Sequence, residues 1–402
     1  MTETSILLLD KGQGGLSAQL PAMRALGGKL DYLQVSDPQT ALELLGQRSI
    51  GVVVADFGGD TDDCVRFFQS AAALRPAAIR VAFAAALADL TGGLAERGPH
   101  QCLSSGCSAD QMHAVLLRCS DISARIQRRP DLVHMLSRLD VIPTPPAVYF
   151  DIRDALEHET TTLNSLVDLV QRDAALAAKV LKVANSGFFG AQRCISDLAA
   201  AIRLVGMELL MAVALTSHLL QCMPLPGLQL DRLWLHGLAV STLARFIARD
   251  EKANHDETEV AGVAGLLHDI GGLLLLGNFP ADYQHMLRQS AGDEVELLEL
   301  EQSRFGVGHP ELGALLLELW NLPDAVVRAV EMHHVAVPRA QQPHGLAAYA
   351  VFMAETLLQD LQRGADRAAD DSAVSELSSI DEEKFASWRE RCPVLLRACG
   401  GV

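Results

Sequence analysis

Apolar and polar positions alternate in two different rhythms along this chain. Over roughly the first 120 residues, short apolar runs are separated by stretches with three-to-four spacing. SILLLD (5–10) and GVVVAD (51–56) each end in an aspartate, and IRVAFAA (79–85) and QCLS (101–104) are weaker strand candidates. Helical patterns lie between and after them, over 16–27, 38–47, 61–74 and 108–128. Apolar strands alternating with helices predict a parallel sheet covered on both faces. In such sheets the functional edge lies at the carboxyl ends of the strands, where Asp10 and Asp56 fall. Strand signals stop after about residue 122, and RRPDLVHMLSRLDVIPTPP (128–146) reads as a connector. From Pro146 to about Leu361 the rhythm is helical throughout: AALAAKVLKVA, LAAAIRLVGMELLMAVAL, LHGLAVSTLARFIA and PELGALLLELW all recur at three-to-four spacing. Pro310 suits a first helical turn, and the prolines at 224 and 226 separate two more helices. The acid-rich 366–383 segment predicts a solvated or disordered stretch, and KFASWRERCPVLLRACG a short closing helix. No solenoid period is present.

Composition narrows the class. With 402 residues the chain exceeds one typical core, so two domains or more are expected. A net charge of −17 argues against a nucleic-acid binder, which usually shows a basic face, and against an anionic membrane surface. The N-terminus has no basic leader region, and Asp10 interrupts its apolar run, so no signal peptide is expected. Glu208 and the His268–Asp269 pair interrupt the longest apolar stretches, so no transmembrane helix is expected either, and the chain reads as cytoplasmic. The eight cysteines form no CxxC pair and read as reduced thiols.

Candidate chemistry concentrates in GLLHDIGGLLLL (265–276), where His268 and Asp269 stand side by side in an apolar run. Buried ionisable groups are usually paired or bound to metal, because an isolated buried charge costs several kcal/mol or more. The same half of the chain supplies His236, His309, His333 and His334. Plainer roles exist for each. The doublet can hydrogen-bond internally, His236 can be a core histidine, His309 a helix cap, and His333–His334 can meet terminal carbonyls. Asn185 and Ser186 cap the helix over 174–184 or, alternatively, line a ligand groove.

Over residues 4–122 the strand order, with Asp10 and Asp56, resembles a response-regulator receiver domain. The resemblance implies Asp56 as phospho-acceptor and Asp10 as one acid of a magnesium-binding pair. The second acid is Lys11 here, the Ser/Thr position falls at about Ala84, and the Lys position at about Ser105, followed by Gly106 where a proline is usual. Magnesium needs several hard oxygens, so a lysine in that place predicts a pseudo-receiver, with Lys11 free to pair with Asp56.

Residues 135–335 resemble the HDOD domain through QRDAALAAKVLKVANSGFFG, ISDLAAAIRLVGMELL, LWLHGLAV, GVAGLLHDIGGLLLL, FGVGHPELGALLLELWNLP and VEMHH. HDOD domains are all-helical relatives of the HD phosphohydrolases and act as bacterial signalling output modules. The resemblance places His236 and His268–Asp269 on the HD metal ligands. It puts His309, His333 and His334 near additional ligands of the cyclic-di-GMP-cleaving branch, and Glu355 near the late acid. Iron, manganese or zinc suits that donor set. Two departures are visible: Gly272 stands where a phosphate-stabilising lysine is common, and no glycine-tyrosine-proline motif follows the histidine pair. The expected organisation is a receiver-like α/β domain (4–122), a linker (123–145), an all-α HD-like domain (146–361) and an acidic tail (362–402). The expected function is a non-catalytic signalling protein contacting a kinase, a receiver or a cyclic-di-GMP domain protein, or itself as a homodimer. The alternative is a metal-dependent phosphohydrolase acting on a nucleotide or cyclic dinucleotide.

Overall fold

The computed structural model describes residues 4–12, 15–27, 30–84, 98–157, 162–186, 195–223, 230–335, 345–363 and 382–397. The 366–381 part of the acidic stretch, Pro224 and Pro226, and most of the segment after His334 lie outside them.

The chain begins with five parallel strands: β1 Thr4–Asp10, β2 Leu30–Val35, β3 Ile50–Asp56, β4 Ile79–Ala84 and β5 Gln101–Ser104, ordered β2-β1-β3-β4-β5. Helices α1 Gly15–Ala25, α2 Pro38–Gln47, α3 Thr61–Leu74 and α4 Ala109–Gln127 lie between and after them. Leu7, Leu8, Val53 and Val54 are fully buried, as consecutive apolar residues must be when both faces of a sheet are covered. The register pairs Asp10 with Asp56 at the carboxyl ends of β1 and β3. Three of the four flanking helices have a capped start: Asp37 caps α2, Asp60 caps α3, and Ser108 with Gln111 makes a capping box on α4.

The helices that follow are α5 Pro130–Arg138, α6 Ala147–Glu157, α7 Leu163–Gln171, α8 Ala174–Ala184, α9 Leu198–Val205, α10 Met207–Cys222, α11 Leu230–Asp250 and α12 His255–Leu267. Beyond these come α13 Ile270–Asn278, α14 Pro280–Ser290, α15 Glu294–Phe305, α16 His309–Leu319, α17 Asp324–Glu331, α18 Gly345–Arg363 and α19 Glu382–Arg397. The fold is thus a parallel α/β sheet followed by an all-helical region, as the sequence pattern indicated.

Two compact units emerge, and neither is one continuous segment. The first comprises 1–150, 276–308 and 316–321; the second comprises 151–275, 309–315 and 322–402. Within the first, Trp320 Nε1 donates to Pro143 O (2.9 Å), and Asn278 holds residues 140 and 141 through its side-chain amide.

The second unit is built around α12, which packs against α10, α11, α17 and α18. From Ala261 onward every residue of α12 is buried, so that stretch is apolar all round instead of amphipathic. Its small residues let a neighbour approach closely. A Cβ on Gly265 would meet Ser241 Cα at 2.8 Å, and one on Gly237 would meet Leu266 O at 3.0 Å. Ser241 Oγ donates to Gly262 O across the same seam (2.7 Å). The stretch His255–Asn278 is long and apolar enough to cross a membrane by length and composition, although the doublet sits within it. Since 72% of its most apolar window is buried inside the protein, the hydropathy is that of a core helix.

Candidate metal centre

The close α11–α12 seam sets His236 against His268. His236 follows the first turn of α11, and His268 caps α12 at its carboxyl end with Asp269 immediately after. The two imidazoles face each other Nε2 to Nε2 at 3.3 Å. Asp269 Oδ2 lies 3.1 Å from His268 Nε2 and 3.4 Å from His236 Nε2. Glu355, from the middle of α18, places Oε1 2.8 Å from His268 Nε2 and 3.1 Å from His236 Nε2.

A second group forms on the other side of Asp269. His309 opens α16, and His333 and His334 occupy the turn after α17. His309 Nε2 stands 3.3 Å from His333 Nε2 and 3.1 Å from His334 Nε2. Asp269 Oδ1 lies 3.6 Å from His309 Nε2 and 3.8 Å from His333 Nε2. One carboxylate therefore faces two groups, His236–His268–Asp269 and His309–His333–His334, each with donor atoms close enough for a single ion.

The orientation of the rings decides what the arrangement can hold. His268 Nδ1 donates to Gly265 O at 2.8 Å, and His333 Nδ1 donates to Val330 O at 2.6 Å. With the proton on Nδ1, a neutral ring aims its Nε2 lone pair inward. Outer hydrogen bonds of this kind fix tautomer and direction in metal-ligating histidines. Glu355 Oε1 is buried against both Nε2 atoms without a hydrogen bond of good geometry among the described residues. Converging lone pairs and a carboxylate oxygen repel one another unless a proton or a cation lies between them. The residues present fit a metal ion.

Electrostatics separates the two groups. Burial disfavours charge on His236 and His268, but Glu355 and Asp269 outweigh it, holding His236 at about 10 and His268 well above the usual histidine value. Burial likewise opposes charge on the two carboxylates, yet the facing imidazoles keep Asp269 and Glu355 below their ordinary range. Burial and the neighbouring imidazoles push His333 well down and His334 to about 4. Without an ion, the first group is a proton-bridged acid–base cluster, while in the second His333 and His334 are held neutral near pH 7.

Every metal candidate from the sequence thus meets at one place. His236 is not an isolated core histidine, and His309, although first in its helix, is not the cap, which is Gly308. Asn185 and Ser186 stand outside the cluster. Asn185 Nδ2 donates to Leu181 O and Ile195 O (2.8 Å each), and its Oδ1 accepts from Ile195 N (2.7 Å), which engages the amide as a helix cap and loop clasp instead of a groove wall. Two residues that sequence reasoning passed over are Gly271 and Gly313. A Cβ on Gly271 would come within 2.0 Å of His309 O, so only glycine lets α13 approach the start of α16. A doubled glycine inside a helical run was the available signal.

The sheet edge has its own geometry. Asp56 is buried, with Oδ1 accepting from Gly58 N (2.8 Å), and Asp10 Oδ2 accepts from Ser17 N in the first turn of α1 (2.7 Å). Burial and the Asp10 charge raise the Asp56 carboxyl above its usual range. Lys11 does not pair with Asp56 as expected. Its ammonium reaches Asp63 in α3, which Arg66 also contacts, because the α3 start offers an exposed acid while Asp56 is buried. Gly12 lies directly over Asp56, where a Cβ would stand 2.7 Å from the carboxylate oxygens.

Comparison with known proteins agrees with this architecture. Residues 142–336 match the HDOD domain, a stretch that draws on both compact units. An HDOD domain protein of unknown function from Geobacter sulfurreducens has a similar fold, at 24% identity and a TM-score of 0.50, covering 66% of this chain and 94% of its own. A Shewanella amazonensis protein provisionally named a phosphohydrolase matches at 22% identity and a TM-score of 0.49, covering 66% of this chain and 97% of its own. An uncharacterized protein of Treponema pallidum is 28% identical over 199 residues, which span 49% of this chain and 38% of that protein. The five-stranded parallel sheet before the HDOD domain is consistent with a receiver-like domain.

Proposed function

We propose that the HDOD unit is a divalent-metal-dependent phosphohydrolase acting on a nucleotide or cyclic dinucleotide, joined to a receiver-like unit that does not accept phosphate. The observation that carries this reading is the convergence of five histidines, Asp269 and Glu355 into two donor groups sharing one carboxylate. His236, His268, Asp269 and Glu355 would hold one ion, and His309, His333, His334 and Asp269 a second. An ion bound there supplies Lewis-acid polarisation of a phosphoryl oxygen and a water made acidic enough to ionise near neutral pH. His268 and His333, anchored through Nδ1 to backbone carbonyls, fix the inward direction of their Nε2 atoms. Asp269 keeps the two groups at a set separation, and its position between them is the part of the site least replaceable by another residue.

A second reading, a metal-loaded signalling module without turnover, is favoured by one observation. The pocket beside His236 and His268 is walled by Leu220, Leu233, Leu266, Leu267, Ile270 and Leu273, with Thr216. Among the described residues no lysine or arginine lines it, and the third position after the doublet is Gly272. A hydrolase with no cation beside the ion site has less stabilisation for the charge that builds on a phosphoryl group.

Turnover separates the two. Full-length protein loaded with manganese, iron or zinc is assayed against an activated phosphodiester and a panel of cyclic dinucleotides. The hydrolase reading expects turnover that Asp269→Ala abolishes while the fold survives. Metal bound at the site with no turnover in any loaded form leaves the signalling reading.

A further inference from the structure

The two donor groups are not copies of each other. Asp269 Oδ1 faces His309 and His333, His334 stands against His309, and among the described residues these three imidazoles form one donor group with no carboxylate of its own. Around Asp269 Oδ2 stand two imidazoles, His236 and His268, and a second carboxylate, Glu355. The first group is nitrogen-rich. The second is oxygen-rich and carries more negative charge.

First-row ions discriminate between such sets. Imidazole favours ions late in the row, and carboxylate oxygen suits harder ions such as manganese. Three histidines with one further oxygen is a common four-coordinate zinc arrangement. Two histidines with carboxylates suit manganese or ferrous iron.

Building on the metal reading above, we propose that the centre is asymmetric. The group His309–His333–His334 takes the first ion and selects zinc. The group His236–His268–Glu355 takes the second and accepts manganese or ferrous iron, and Asp269 bridges the pair. The preference is set by donors the chain supplies, so it holds whatever substrate the site serves. Each group also has one ring already locked in place, His333 by Val330 O and His268 by Gly265 O, so each can bind without first ordering all its ligands.

The test is metal binding by the full-length chain and does not depend on activity. Protein stripped with a chelator is titrated with zinc alone, manganese alone, and manganese after one equivalent of zinc. Bound metal is counted by mass spectrometry after gel filtration, and bound manganese is followed by electron paramagnetic resonance. The expected result is one zinc equivalent bound at least tenfold tighter than the next, with manganese then filling the remaining site. His334→Ala should abolish the tight zinc equivalent and spare the manganese site. Glu355→Gln should weaken manganese at least tenfold and spare the tight zinc. Two zinc equivalents of equal affinity, or manganese displacing the first zinc, would overturn the proposal, and the wild-type titration alone decides this if either variant misfolds. Binding of no ion under any condition would overturn the metal reading itself, a different outcome from two equal sites.

Discussion

Substituting Gly271 by alanine tests whether the close approach of α13 and α16 positions His309. The added Cβ would stand 2.0 Å from His309 O, 2.6 Å from Gly313 N and 2.9 Å from the His309 carbonyl carbon. Ordinary contact begins at 3.4 Å, so the first turn of α16 must retreat by about 1.4 Å. Neither contact is with a flexible side chain, and Gly313 leaves only backbone to give way. Overpacking of this kind costs about 1–3 kcal/mol. At about 2–4 °C per kcal/mol for a unit of this size, the melting temperature should fall by roughly 2–12 °C. The effect on metal is sharper, because ligand distances tolerate only about 0.2 Å. His309 Nε2 moves with its backbone, while His236, His268 and Glu355 are not tied to that turn. The expected outcome is a folded protein that keeps the ion of the His236–His268–Glu355 group and binds that of the His309–His333–His334 group at least about tenfold more weakly. Metal counting beside a thermal melt reads both quantities. A Gly271→Ala protein with wild-type melting temperature and both ions at wild-type affinity would refute the reasoning.

Three further outcomes follow from the structure. Incubation with acetyl phosphate and magnesium should leave the intact mass unchanged, because Lys11 and not a second acid follows Asp10 and Gly12 lies over Asp56; a one-phosphoryl gain lost in Asp56→Asn would contradict this. Acid should destabilise the first unit through His100, which is buried with Nδ1 accepting from Arg80 N (3.1 Å) and the Arg80 guanidinium beside Nε2, so burial and that charge hold it well below its usual value. The unfolded chain takes up the proton first, so stability is retained above pH about 6.5 and falls below it by about 1.4 kcal/mol per pH unit; His100→Gln should flatten that slope in melts run from neutral to acidic pH. Asn185→Ala removes three hydrogen bonds that clasp Ile195 to the end of α8 and should cost about 1–3 kcal/mol in denaturant unfolding, with metal content unaltered.

Much of the site was legible because its donors are chemically conspicuous. His268 and Asp269 in an apolar helix pair had to be satisfied somehow, and the other histidines were few enough to gather around them. Glu355 could be placed only by resemblance, since one acid in an amphipathic helix looks like any other until its face is known. What the sequence concealed was proximity. Nothing in Gly271 or Gly313 announces which backbone each one admits. The partner of Lys11 was misjudged because strand-end adjacency is visible in a sequence, whereas the direction taken by the first turn of α3 is not. The boundaries of the compact units were equally hidden. Helical rhythm over 276–308 is the same whether that segment joins the helical unit or, as it does, the one containing the sheet.

The ligands come from separate parts of the chain, from His236 to Glu355, with α12, α16 and the turn after α17 between them. That order has a consequence for biosynthesis. As the polypeptide leaves the ribosome, at about 5–20 residues per second, it presents histidines long before the carboxylate that completes one half of the centre. Until α18 emerges, the cluster has its imidazoles and one shared aspartate but lacks Glu355. A product truncated before residue 355 would therefore carry the nitrogen-rich half complete and the other half without its second carboxylate.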